Sequence, residues 1–184
     1  MPNELSFIDE LSKNGMLHLE ILRSTIPRGR VSSVTAEDLP AGCFLIREAD
    51  IPGVNHLDLF GERMPLLSER EVRYEGQPIL LIAGPDRDQL AECREKVSIE
   101  YETDYSILAF EPYNEQQIAD SVIFEKGNVY LTTDSQYQII EAEYSTTPES
   151  HITRAPLGAF AYEEEGRIVV HAPTHWLHHV RTTV

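Results

Sequence analysis

Residues 77–102, QPILLIAGPDRDQLAECREKVSIEYE, decide the fold. Gln77 to Ala83 is a continuous apolar run of strand length, ended by Gly84-Pro85. Asp86 stands where a helix needs its N-cap, and Gln89 follows three residues later, as in a capping box. The spacing predicts a helix over 86–97. Leu90, Cys93 and Val97 share one face of it, and Arg87, Glu92, Arg94 and Glu95 point outward. Ser98 to Glu102 returns to period two, with Ile99 and Tyr101 on one side. This is strand, helix, strand. The helix shields one face of a sheet, so residues 79–82 can be apolar on both sides.

Upstream, Leu17, Leu19 and Ile21 alternate with His18 and Glu20, the pattern of a half-buried strand. Arg30 to Val34 and Cys43 to Ile46 are further strand candidates, with a turn at Pro40-Ala41-Gly42 between them. Residues 50–66 carry Pro52, Gly53, Gly61 and Pro65 and read as a surface loop. Downstream, residues 105–121 have little periodicity and read as a linker. Gln138 to Tyr144 alternates, with Ile140, Ala142 and Tyr144 on one face. Gly158 to Tyr162 and Arg167 to Ala172 flank Glu163-Glu164-Glu165-Gly166, which predicts a hairpin. Thr174 is placed to cap a helix that begins at His175 and still runs at Val184.

The balance of 31 acidic against 15 basic residues gives a net charge of −16. Phosphate binding needs clustered Lys and Arg, so nucleic acid is excluded as a partner, and an anionic membrane surface fits no better. The longest apolar run, Ile79 to Ala83, is far too short to span a bilayer. Met1-Pro2-Asn3-Glu4 has neither the basic start nor the apolar stretch of a secretory signal. Cys43 and Cys93 are the only cysteines and read as reduced thiols of a cytoplasmic protein.

No glycine-rich phosphate loop or nucleophile elbow is present, and two cysteines cannot build a four-thiolate Fe–S site. His171, His175, His178 and His179 form the one chemical cluster. His175 and His179 would share a helix face and could grip a metal, but no acid or cysteine nearby completes a ligand set. A solvated strand-to-helix junction is the preferred reading. Arg23-Ser24 with Arg28 to Arg30 makes a small basic patch, read as a solvated loop rather than an anion site. No catalytic, cofactor-binding or metal-binding residue is assigned.

Several stretches resemble one family in the same order. Residues 7–24, FIDELSKNGMLHLEILRS, are similar to the entry strand of the α/β hammerhead domain of xanthine dehydrogenases and aldehyde oxidases. Arg30-Val31, Asp50-Ile51-Pro52-Gly53 and the more specific Val72-Arg73-Tyr74-Glu75-Gly76-Gln77-Pro78 follow that family. Phe124-Glu125-Lys126-Gly127-Asn128, Glu141-Ala142-Glu143-Tyr144 and Gly166-Arg167-Ile168 resemble the start of its first molybdenum-cofactor domain. The resemblance implies an α+β fold: an α/β hammerhead domain over 5–104, the linker 105–121, and a truncated mixed α/β segment over 122–184 that opens the cofactor-binding domain.

The resemblance also implies a parent enzyme that hydroxylates purines or aldehydes with water. That enzyme uses a molybdenum–pterin cofactor and passes electrons to Fe–S clusters and FAD in partner domains. The family's glycine-rich cofactor loop and catalytic glutamate lie further along than this chain reaches. The expectation is therefore a scaffold segment that holds no cofactor and is inactive alone. Its partners would be the remaining part of the molybdenum-binding subunit, the Fe–S and FAD subunits, or further copies of itself. Two positions depart from the family. Ala155 stands where His-x-x-x-Glu-Pro has its glutamate, and Pro173-Thr174-His175 replaces Ser-Thr-Gln, whose glutamine lies near the molybdenum. That role is not carried to His175. The departures favour an alternative, a stand-alone non-catalytic hammerhead module for partner binding or assembly. A small metal-binding protein using the histidines ranks last.

Overall fold

The computed structural model describes residues 6–68, 70–107, 121–127, 140–153 and 155–184. The chain divides into two compact units, Met1–Ser106 with Ala155–Val184, and Ile107–Arg154.

The first unit is built on β7 (Pro78–Gly84), the central strand of a three-stranded antiparallel sheet between β1 (His18–Arg23) and β3 (Phe44–Ile46). The expected apolar run is this strand. Helix α1 (Arg87–Lys96) follows directly, and Asp86 caps it: its Oδ1 accepts the Gln89 amide at 2.8 Å. The helix stops at Lys96, one residue short of the expected end, and Val97 already opens β8 (Val97–Thr103). Strand β8 does not rejoin β7. It pairs antiparallel with β2 (Gly29–Ala36), which also pairs with β6 (Glu71–Val72), in a second three-stranded sheet. The strand–helix–strand unit thus joins two sheets, and α1 lies against β7, β1 and β8. Leu22, Leu80, Ile82, Leu90 and Cys93 form the buried core, with Leu45, Val97 and Ile99 packed on it.

The apolar alternation in β1 points the other way from its expected sense. Leu19 and Ile21 are 58 % and 42 % exposed, while Leu22, of the opposite parity, is buried. The helix decides the face. Glu20, on the Leu22 side, accepts an ion pair from Arg94 of α1 at 2.9 Å. On the outward face Ile21, Leu81 and Ile46 stand in register across the three strands, as do Leu19, Ala83 and Phe44.

Residues 50–66 are not a plain loop. They contain a hairpin, β4 (His56–Leu59) and β5 (Glu62–Pro65), turned at Phe60-Gly61, both with positive φ. The expected second hairpin forms as β9 (Phe160–Glu164) and β10 (Arg167–His171), turned at Glu165-Gly166. Helix α2 spans only Leu177–Thr183. Thr174 Oγ1 does accept an amide, that of Trp176 at 3.0 Å, but His175 lies outside the helix.

In the second unit no described residue lies in a helix or strand. The alternating stretch at 138–144 is irregular and exposed over Ile140–Tyr144, because nothing described pairs with it; Gln138 and Ile139 lie outside the described residues. Most of the expected linker, 108–120, also lies outside them, as do Asn128 and Arg154.

Candidate functional site

Two of the sequence features meet in a polar knot. Arg23-Ser24, at the end of β1, binds the Tyr74–Gln77 turn. Arg23 Nη1 donates to Gly76 O at 3.0 Å, Ser24 N donates to Gln77 O at 2.8 Å, and Gly76 N donates to Ser24 O at 2.9 Å. Ser24 is buried, and its hydroxyl donates to Ile26 O while accepting from Ile26 N. Gln77 is 2 % exposed; its Oε1 accepts from Arg73 N at 2.7 Å and its Nε2 donates to Glu71 O at 3.4 Å. Buried polar groups are costly unless bonded, and these are. The Arg-Ser pair is therefore a clasp between β1 and the approach to β7; Ser24 is buried, while Arg23, Arg28 and Arg30 are exposed, as expected of a solvated basic patch.

The histidines do not converge. His171 stacks on Tyr162 at 5.8 Å between ring centroids, whereas His179 stacks on Trp176 at 4.3 Å, with a ring nitrogen 3.3 Å from Asp58 O. His175 precedes α2, so the helical i, i+4 pairing with His179 is not formed. Among the described residues no three His, Cys, Asp or Glu side chains gather as a metal site. Both cysteines are free. Cys93 is fully buried, and its thiol pKa is pushed up to about 11, first by burial and then by the neighbouring Cys43 thiol.

One concave feature is a cleft of about 480 Å³. Val34, Ile51, Val54, Ile79 and Leu80 give it apolar walls, and Arg47, Glu48, Asn55 and Ser68 bring polar groups to it. Asn55 is satisfied: its Nδ2 donates to Leu67 O at 2.7 Å and its Oδ1 accepts from Leu67 N at 2.9 Å. Ser68 Oγ donates to Glu71 O. Glu48 opens the 3-10 turn Glu48–Asp50, and its Oε2 is buried with no hydrogen-bond partner among the described residues. None of these four polar residues stood out in the sequence. One acid among 31 carries no local signal, and only burial sets it apart.

The family pattern described as aldehyde oxidase and xanthine dehydrogenase, a/b hammerhead domain, matches residues 3–105. The chain belongs to this family. Its hammerhead is the first unit's pair of small sheets with α1. A probable xanthine dehydrogenase subunit of Bacillus subtilis (strain 168) is 26 % identical over 184 residues, covering 93 % of this chain and 25 % of that protein. The nicotinate dehydrogenase large molybdopterin subunit of Eubacterium barkeri is 27 % identical over 191 residues, covering 97 % and 45 %. Among solved structures, reconstituted CO dehydrogenase from Oligotropha carboxidovorans aligns with a TM-score of 0.51 at 22 % identity, over 57 % of this chain and 14 % of that one. That likeness concerns the fold. The chain spans between a quarter and a half of the length of these two curated relatives. No helix among the described residues is long and apolar enough to cross a membrane.

Proposed function

We propose that this chain serves as a scaffold segment of the large subunit of a xanthine dehydrogenase-like molybdenum hydroxylase acting on purines or aldehydes. In this reading it works in the cytoplasm beside Fe–S and FAD subunits. The observation that carries it is the hammerhead match over residues 3–105, whose motif residues are spent on holding the domain together. The donors present do not fit a phosphate-bearing pterin cofactor. The cleft sets the Glu48 carboxylate beside a single guanidinium, Arg47, and its amide and hydroxyl groups, Asn55 and Ser68, are engaged by backbone, so it offers no run of free N–H donors of the kind that cradles a phosphate. Cofactor and chemistry are therefore assigned to other parts of the subunit.

The test is molybdenum content and dye-linked purine and aldehyde oxidation, measured on this chain alone and then on this chain co-expressed with the remainder of a large subunit and its Fe–S and FAD partners. The expected result is no molybdenum and no turnover alone, and both on complementation. Stoichiometric molybdenum in the chain alone refutes the proposal. Ala155 and His175, where the family has Glu and Gln, favour a second reading as a non-catalytic module. Failure of complementation with intact partner binding would select it.

A further inference from the structure

We propose that Cys43 and Cys93 are a redox lock: reduced at rest, they join as a disulfide when a hydroperoxide reaches Cys43, and the bond ties edge strand β3 to helix α1. Cys43 stands one residue before Phe44 of β3, which pairs with Ala83, so it lies beside Gly84 at the end of β7. A Cβ built on Gly84 would sit 2.9 Å from Cys43 Sγ and 3.2 Å from Leu90 Cδ2. Gly84 has no positive φ, so its missing side chain serves space rather than conformation. Through that space the Cys43 thiol approaches α1, where its Sγ lies 3.9 Å from Gln89 Oε1. Cys93 is one helical turn beyond Gln89 on the same side of α1, buried in the core cluster against which Cys43 packs. The thiols are near enough for Cys43 to raise the pKa of Cys93.

The two are unequal, and this sets the order of the chemistry. Cys43 is half-buried and open to a small oxidant, whereas Cys93 is sealed and its thiol, at about 11 through burial first and Cys43 second, stays protonated at neutral pH. The Cys43 thiolate attacks the hydroperoxide and breaks its O–O bond. Cys43 becomes a sulfenic acid, and the leaving oxygen takes the proton that the thiol gave up. The Cys93 sulfur then attacks the Cys43 sulfur. The S–S bond forms, the S–O bond breaks, and the hydroxyl leaves as water with the Cys93 proton. Two thiols are oxidised to one disulfide, and one hydroperoxide is reduced to an alcohol, or to water, with a further water released. Attack within one chain offsets the small thiolate fraction of Cys93. The bond would secure β3, a three-residue strand held in its sheet by β7 alone, and would close a loop of about fifty residues.

The experiment exposes the whole chain to hydrogen peroxide, then counts alkylatable thiols by mass after unfolding without reductant, maps the peptides, and records the melting midpoint. The expected result is loss of both labels, a cross-linked peptide pair holding Cys43 and Cys93, and a chain that stays monomeric on a non-reducing gel. The midpoint should rise by roughly 5 °C or more and return on adding dithiothreitol. In Cys93→Ala, Cys43 should be trapped by dimedone as the sulfenic acid, with no rise in midpoint. In Cys43→Ser, Cys93 should keep its label under the same exposure. Two labels remaining after peroxide, oxidation that ends in sulfinic acid or in bonds between chains, or a disulfide that leaves the midpoint unmoved overturns the proposal. So does oxidation of Cys93 in Cys43→Ser, which would remove Cys43 as the point of entry.

Discussion

Replacing Gly29 by alanine tests the β2–β8 pairing within the second sheet. Gly29 opens β2, pairs with Val72 on one side and Thr103 on the other, and has φ of +150°. An added Cβ would lie 2.1 Å from Glu102 O and 3.0 Å from Glu102 C, both backbone atoms of β8. The carbonyl would have to retreat by roughly 1 Å or more to restore van der Waals distance. Holding an L-residue at such a φ costs about 1–3 kcal/mol. Each bridging hydrogen bond lost from the ladder adds about 1 kcal/mol. The expected loss is therefore about 3–5 kcal/mol, a large share of the roughly 5–15 kcal/mol that ordinarily holds a domain. With a urea slope of ~2 kcal/mol/M, the midpoint should fall by roughly 2 M. Gly53→Ala is the control, since nothing lies within 4 Å of the position its new methyl would take and its φ is not positive. If the two variants have the same midpoint, the account of the β2–β8 contact is wrong.

Three further outcomes follow from the core around α1. Leu90→Ala should cost about 2–5 kcal/mol in urea unfolding, and Leu19→Ala, on the outward face of β1, less than about 1 kcal/mol. Asp86→Ala should cost about 1 kcal/mol through loss of the bond to Gln89 N, while Asp86→Asn keeps most of it. The Cys93 thiol, raised to about 11 from 9.0, favours its neutral form in the folded chain. Its contribution is fully present below pH about 9 and is lost as pH rises through about 11. Urea midpoints across that window should fall less steeply in Cys93→Ala, and parallel profiles would remove Cys93 as the cause.

What was legible in the sequence was whatever local chemistry alone could fix. Asp86, the apolar run before it and the 3.6-residue spacing of Leu90 and Cys93 sufficed for β7 and α1. The facing of β1 was not legible, because Leu22 makes both parities partly apolar and α1, a distant element, chooses between them. The β4–β5 hairpin was hidden by Phe60, a poor residue for a positive φ, in place of the Asn or Asp that usually announces such a turn. The clasp formed by Arg23-Ser24 was not legible, because its partners, Gly76 and Gln77, lie more than 50 residues away. The same holds for the cleft: Glu48 in isolation is one more acid, and Ile79 and Leu80 of β7 join it in the lining only through the fold.

The order β1-β7-β3 has a consequence for synthesis. Both outer strands leave the ribosome before the central strand that pairs them. About 55 residues separate Arg23 from Pro78, so at roughly 5–20 residues per second β1 waits about 3–11 s for its partner. Strand β2 waits similarly for β8. The first sheet cannot close until β7 has emerged, nor the second until β8 has, so the domain is made as an open chain and completed by its last segment, Pro78 to Thr103. During that interval Leu19, Ile21 and Phe44 are bare strand residues with no neighbour in register, and a nascent chain stalled before Pro78 presents the segment a chaperone would hold.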